Sequence, residues 1–531
     1  MASQQTDAEG ITKVIATPVK AEAKIGRKTR DPSFTSTGSS DQTGWKFRTP
    51  QKVLFVEELT DLMTDHIPDF CKLGHSYFSG SLLMKESGEK AFKIDTAKHI
   101  QFKQMIMDVI VLFVNLLRAA FLPETLENIP LQNKEVYGKW PATKQDISGA
   151  WLPHCVRYVR GCVSSISVLD LLGEAREIIQ ELAIDMRTYC MFTLLKHAIT
   201  DVQNLHTKEM WVVEVDDVFG GTTQLPALFE NIVNETVQHL HEVVVQKKTG
   251  EPEIFSQRPV QKEATLLFGQ LLEAFAPCLE HLVLPDQHSH TSCKDKSMPS
   301  TPDTEHADDS IPSLDKRLMI TLSNCKHTSE QVIPYLVENL NRHGYVEMNK
   351  ALQSAQENYQ TLDAKFFEAY IEEKSNPIVG ALEQNMYRGK FDWKTCKKPI
   401  GVRNYLKEVI MGMIEVHAEV FSISPAFVPR VMSMIVEAVA EEMSRLIQCA
   451  TAFSTHGMLQ ARLELRALQD TVVVYMTQHA KRCLEEAQTS LPGFSGSEKK
   501  ELEELLNIFK SQMKFQLMCF RSHTMPRLSV S

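Results

Sequence analysis

Apolar side chains along this chain recur three and four positions apart, which on a coil of 3.6 residues per turn places them on one face. Leu406, Val409, Ile410, Met413, Val420 and Phe421 form such a stripe, with Pro399 and Gly401 before it and Ser422 to Pro425 after it. That pattern predicts one helix with both ends punctuated. A second stripe, Val431, Met434, Ile435, Ala438, Leu446 and Ile447, follows Pro429, and proline is tolerated in a helix only in the first turn. Its polar side reads Ser433, Glu437, Glu441, Ser444, Arg445 and Gln448. A third stripe runs Leu502, Leu505, Leu506, Phe509, Met513, Leu517, and Ser495 and Glu498 stand ahead of it at capping-box spacing. Strand-like alternation is confined to Trp211–Val218 and Thr471–Val474, the second within a helical stretch. Amphipathic helices must bury their stripes on one another, so the expected fold is all-α, an elongated rod of stacked antiparallel helical bundles. No repeat recurs at a fixed period.

Length and punctuation divide the chain. At 531 residues it exceeds one hydrophobic core, and roughly three to five helical units are expected. Residues 1–50, basic from Lys20 to Arg30 and Ser/Thr-rich from Ser33 to Thr43, read as a disordered tail. Helical bundles are expected over 51–284 and 314–531, with a Pro-, Ser- and His-rich flexible linker at 285–313. The most apolar run, Val109–Leu117, lies between Asp108 and Arg118 and has about half the length needed to span a bilayer, so a buried helix is expected. Polar residues follow Met1 where a secretion signal would place an apolar core.

Charge and cysteine usage narrow the function classes. The formal charge is −10, and Lys/Arg do not concentrate outside the first thirty residues, so nucleic acid is not an expected partner. Eleven cysteines are scattered without a Cys-x-x-Cys pair, the usage of a reducing compartment such as the cytosol. The basic tail would gain about 1 kcal/mol per charge at an anionic lipid surface, although a solvated arm is the simpler expectation.

No enzymatic motif is complete. Asp216-Asp217 resembles one half of a paired-acid magnesium motif, but Gly220 stands where a third acid belongs. Cys278, His281, His288, His290 and Cys293 are zinc-type donors, three of them in the expected linker. His417 falls on an apolar stripe, where a histidine is usually a packed residue satisfied by a backbone carbonyl. His239 and His241 lack the four-residue spacing that puts two histidines on one helical face. Phosphate-cradling loops and nucleophile elbows are absent. Neither catalytic residues nor cofactors nor metals are expected. Phe391-Asp392-Trp393-Lys394, set between Gly389 and Gly401, is the exception in kind: its aromatics either anchor a protein contact or plug a joint between bundles. Phe391, Asp392, Trp393 and Arg403 are the candidate protein-contact residues.

Several segments carry a family resemblance. Phe34-Thr35-Ser36-Thr37-Gly38-Ser39-Ser40-Asp41-Gln42-Thr43-Gly44-Trp45-Lys46, Asn376-Pro377-Ile378-Val379-Gly380, Phe391-Asp392-Trp393-Lys394 and Gly401-Val402-Arg403-Asn404-Tyr405-Leu406-Lys407-Glu408 are similar to the exocyst complex component 2 family. Val416–Phe421, Val428–Arg430 and Leu459–Glu464 continue the match. The resemblance implies a scaffold of helical bundles without catalytic residues, in the complex that tethers secretory vesicles to the plasma membrane. The implied partners are other exocyst subunits, and the implied location is the cytoplasm, with peripheral recruitment to the plasma membrane through the complex. The family's β-rich domain that binds Ral GTPases has no counterpart before Thr43, so Ral binding is not expected. A shortened copy that competes for partners outside the full complex is the alternative reading.

Overall fold

The helical period is realised in succession along the chain. The computed structural model describes residues 50–81, 96–127, 130–135, 137, 151–169, 173–216, 220–248, 251–283, 311–493 and 496–520. The expected tail up to residue 49, most of the expected linker and Ser495 lie outside the described residues. Helices α1 (Gln51–Phe78), α2 (Thr96–Phe121), the single turn α3 (Leu131–Lys134), α4 (Leu152–Ser167) and α5 (Gly173–Gln203) come first. Of these, α1 packs on α4, and both α2 and α4 pack on α5. The 31-residue α5 also packs on α6 (Leu225–Leu240) and α7 (Arg258–Glu273), so it belongs to two neighbouring groups.

The same sharing repeats. After α8 (Phe275–Val283), α9 (Leu314–His327) and α10 (Ile333–Arg342), the 33-residue α11 (Met348–Gly380) packs on α7, α9 and α10. It also packs on α14 (Val428–Cys449), beyond α12 (Leu382–Met386) and α13 (Asn404–Ile423). Helix α14 in turn packs on α16 (Gln478–Ser490), which contacts α15 (Thr455–Thr471). Helix α15 contacts α17 (Gly496–Gln512), and the single turn α18 (Lys514–Leu517) follows. Long helices common to successive groups leave no solvent gap between them: buried apolar residues from Val53 to Phe520 form one connected core. Residues 50–531 form a single unit of this all-α fold.

Local chemistry explains the boundaries. Helix α13 ends at Ile423, ahead of Pro425, and α14 carries Pro429 in its first turn. The Ser454 hydroxyl accepts from Gly457 N at 3.0 Å to cap α15, and Thr477 does the same for Ala480 N at 3.0 Å on α16. The buried stripe of α13 agrees with the sequence except at Phe421, which is 44% exposed one step beyond Val420. On α14 the buried face is wider than predicted and rotated: Met434 is exposed, whereas Val436, Val439, Met443 and Ser444 are buried. Packing on α11, α13 and α16 at once requires more than one apolar stripe.

The run Val109–Leu117 is half-buried rather than buried: Ile110, Phe113, Val114 and Leu117 face the core, while Val109 and Leu112 are exposed. Thr96–Phe121 and Arg258–Val283 are each long and apolar enough to cross a bilayer by length and composition. Here the first packs on α1 and α5, and the second is broken between α7 and α8, both of which pack on α5.

A small hairpin interrupts the helices. Strands β1 (Glu214–Asp216) and β2 (Gly220–Thr222) pair antiparallel, Val215 opposite Gly221. Ser323 on α9 donates to the Gly221 carbonyl at 2.6 Å, and the Asn324 side-chain oxygen accepts from Thr223 N at 2.9 Å. Gly221 has to be glycine because a Cβ there would run into the Ile423 carbonyl at the end of α13.

One buried ionic cluster ties the first two groups together. A π-helical turn, His241–Val245, closes α6. Its carbonyls, unsatisfied within the helix, accept from two buried arginines: Arg160 Nη1 reaches Val243 O at 2.5 Å and Arg187 Nε reaches Val244 O at 2.7 Å. Glu251 receives Arg160 through both carboxylate oxygens, at 2.7 and 2.6 Å, and lies 3.8 Å from Arg187.

Candidate functional site

The segment between α12 and α13 is organised around one guanidinium. Gly389 and Lys390 both take positive φ, 73° and 61°, and turn the chain so that Phe391 and Trp393 come back over Arg403. The Arg403 guanidinium carbon lies 3.6 Å from the Phe391 ring centroid, 4.6 Å from Tyr405 and 4.7 Å from Trp393. Stacking of this kind suits the planar, weakly hydrated guanidinium. Its Nε and Nη2 donate to the two oxygens of Glu464 at 2.6 and 2.7 Å, and Nη1 donates to Met386 O at 2.9 Å.

Glu464, on α15, is fully buried and completely engaged. It also accepts from the Tyr405 hydroxyl at 2.6 Å and from Gln460 Nε2 at 2.6 Å, while Gln460 Nε2 also reaches Gly401 O at 3.1 Å. Burial opposes the charge on Arg403, but Glu464 and Tyr405 outweigh it and hold the guanidinium protonated above its usual range. Burial, reinforced by the neighbouring Glu464 charge, likewise drives the Tyr405 phenol well above its own. Arg403 and Tyr405 are both moved further from neutrality, and the cluster orients elements rather than performing acid–base chemistry.

Trp393 completes the joint. It is 3% exposed, meets Phe391 edge-on at 4.8 Å and lies 5.4 Å from Phe453. Its carbonyl accepts from Ser454 N and Ser454 Oγ, at 3.0 and 3.1 Å, the same serine that caps α15. Gly457 lies so near that a Cβ would collide with this carbonyl. Of the four sequence candidates, Phe391, Trp393 and Arg403 therefore meet in one internal cluster, and Asp392 stands on its surface. Asp392 accepts from Lys394 N at 3.1 Å and Thr395 Oγ1 at 3.3 Å, and Lys390, Lys394 and Thr395 complete the exposed rim. Glu464 was missed as the counter-ion: the Leu459–Glu464 segment was singled out, but its pairing spans 61 positions.

The other constellations are placed as follows. Asp216 closes β1 opposite Gly220, and Asp217 lies outside the described residues. Cys278 is buried, with burial pushing its thiol up to about 12, whereas His281 is exposed with its ring 5.2 Å from His206. His288, His290 and Cys293 lie outside the described residues. His239 is held below its usual range by burial and by Arg157, while His241 meets the His343 ring edge-on at 5.4 Å. His417 is a packed residue, as read, and side chains approach both ring nitrogens: Nε2 lies 3.1 Å from the Tyr475 hydroxyl and Nδ1 3.2 Å from Cys519 Sγ. Burial also pushes the Cys155 and Cys190 thiols up to about 12, opposite to what a nucleophile needs.

Two clefts carry charged linings. One, of about 420 Å³, lies among Lys326, Tyr359, Asp363, Phe427 and Arg430, where Arg430 pairs with Asp363 at 2.7 Å and Lys326 sits over the Phe427 ring. The other, of about 600 Å³, includes Arg462, Arg466, Asp470, Lys499 and Lys510, and Asp470 pairs with both Arg466 and Lys510.

Comparison with known proteins points one way. The family described as exocyst complex component Sec5 matches residues 14–520. Proteins named exocyst complex component 2 are similar throughout: the human one is 41% identical and the mouse one 40% identical, each over 498 residues and 91% of this chain. The Drosophila melanogaster protein of that name is 30% identical over 524 residues, 94% of this chain. These alignments cover 53%, 53% and 57% of the relatives' own lengths, so the chain spans about half the length of the curated relatives it matches.

Proposed function

The chain belongs to the exocyst complex component Sec5 family, and from that premise we propose that it is a non-enzymatic scaffold that assembles with other exocyst subunits in vesicle tethering. The observation that carries the reading is the family match over residues 14–520, which takes in every described helix. The chemistry of the described residues supports it. Arg403, Glu464, Arg160, Arg187 and Glu251 are locked in buried pairs, and the buried thiols are held above their usual range. Such groups hold helices at fixed angles and leave the outer faces to make contacts, where area rather than a pocket determines affinity.

Within this reading the cluster around Arg403 is a rigid corner, and its exposed rim at Lys390, Asp392, Lys394 and Thr395, with the half-buried Phe391 behind it, is a contact point for a partner subunit. The scaffold works in the cytoplasm and reaches the plasma membrane peripherally, through the complex. Live imaging of the tagged chain tests this. Cortical enrichment at secretion sites that falls to the cytosolic background on depletion of another exocyst subunit is expected. A distribution indifferent to that depletion overturns the assignment.

A further inference from the structure

The facing sides of α14 and α16 bring together donor atoms that the tethering role does not use. Glu437 and Glu441 sit one turn apart on α14, and His479 and Cys483 sit one turn apart on α16. Carboxylate oxygens of both glutamates and a ring nitrogen of His479 lie within 4.8 Å of one another. The His479 Nε2 atom is 2.5 Å from Glu441 Oε1 and 3.7 Å from Cys483 Sγ. Around tetrahedral zinc, bond lengths of about 2.3 Å to sulfur and 2.0–2.1 Å to nitrogen place S and N about 3.6 Å apart. The sulfur–nitrogen edge is therefore already of the right length. The nitrogen–oxygen edge is a direct hydrogen bond and has to open to about 3.4 Å when a cation enters between the two atoms.

We propose that Glu437, Glu441, His479 and Cys483 form a zinc site that cross-links α14 to α16. Two helical pairs at four-residue spacing supply one thiolate, one imidazole and two carboxylates, a borderline-to-hard set suited to zinc. The outer shell is in place as well: the Thr477 hydroxyl donates to Glu437 Oε2 at 3.1 Å and orients that carboxylate. The donors are reachable from solvent, since Glu441 is exposed and Glu437, His479 and Cys483 are half-buried. The site shares no side chain with the Arg403 corner and stands whether or not the chain enters a complex.

Cobalt serves as the spectroscopic probe because its thiolate charge-transfer band reports sulfur ligation directly. The full chain, stripped with a chelator, is titrated with cobalt chloride and then back-titrated with zinc chloride. One equivalent with a tetrahedral d–d spectrum and a thiolate band is expected, displaced by zinc. Cys483→Ser removes the thiolate band, whereas Cys449→Ser leaves it. His479→Ala and Glu441→Gln each weaken zinc by about 100-fold or more, with the circular dichroism of both variants unchanged. Absence of cobalt binding, or a spectrum and affinity indifferent to Cys483→Ser and His479→Ala, overturns the site and leaves His479–Glu441 as an ordinary exposed ion pair.

Discussion

Replacing Glu251 with glutamine removes the carboxylate between two buried guanidinium groups, Arg160 and Arg187. The side chains of Arg160, Arg187 and Glu251 are 2%, 0% and 0% exposed, so water cannot take over the role. The carboxylate accepts two hydrogen bonds from Arg160 and a third from Lys248 N at 3.1 Å. The amide keeps one accepting oxygen and turns an NH2 donor toward the other Arg160 N–H, so the two-oxygen fork is lost. Hydrogen bonds to charged groups are worth about 1.5–3 kcal/mol each, and breaking a buried pair by removing one partner costs about 3–5 kcal/mol. The carbonyls of the π-helical turn still hold both arginines, which keeps the loss within that range.

Because the chain has several bundles, native-state hydrogen exchange is the suitable assay, and the amides of 240–247 together with 160 and 187 are the reporters. Glu251→Gln lowers their opening free energy by about 3–5 kcal/mol. Adding Arg160→Met to Glu251→Gln costs less than the sum of the two single changes, because the second removes a charge that the first stranded. The pH dependence has a definite sign. Burial alone would raise the Glu251 carboxyl, but Arg160, Lys248 N and Arg187 outweigh it and hold it below the ordinary range. Its contribution is therefore complete above the ordinary carboxylate range and is lost as pH falls through that range and below it. The variant loses that part of the acid limb. An opening free energy within about 0.5 kcal/mol of the original chain would show that Glu251 does not hold the two arginines in place.

Other outcomes follow from the same physical terms. Lys374 bridges Asp315 and Glu419, and the Lys374 hydrogen bond leads those that outweigh burial and hold the Asp315 carboxyl down at about 2. That stabilisation is complete above the ordinary aspartate range and lost between about pH 4 and 2; Lys374→Met shrinks this step, leaving the part due to Ser313 and Lys316 N, which titration of the Asp315 carboxyl by NMR detects. Trp393→Ala empties the joint between α12, α13 and α15 and costs about 3–5 kcal/mol in the local opening of α15, read by hydrogen exchange. Gly457→Ala drives a methyl into the Trp393 carbonyl and costs about 1–3 kcal/mol in the same readout, although alanine favours helix. Asp392→Ala, on the exposed rim, leaves stability within about 0.5 kcal/mol by the same measure while reducing capture of partner subunits.

Helix positions were legible wherever proline or glycine marked an end. Pro425 and Pro429 bracket the change from α13 to α14, and the stripe from Leu505 to Leu517 is buried as its spacing predicts. Phe421 and Met434 were misjudged because a stripe defines a direction, not a width, and α14 is covered on several sides. The joint was legible as an aromatic cluster between glycines, but its counter-ion was not, since the Arg403–Glu464 pair joins positions 61 apart. The same limit hid Tyr475 and Cys519 beside His417, at separations of 58 and 102 positions. The Arg160–Glu251 pair gave no signal, because a single arginine within an apolar stretch reads as an exposed charge until its partner, 91 positions away, is known. Periodicity carries local geometry, whereas pairing between distant elements depends on how the bundles meet.

If the helical unit works through its surfaces within an exocyst assembly, native mass spectrometry of material captured from cytosol on the tagged chain finds a discrete complex of the chain with other exocyst subunits, weakened by Asp392→Arg without loss of helix content. Recovery of the chain alone, at every salt concentration and with the same folded helix, rules that assembly out.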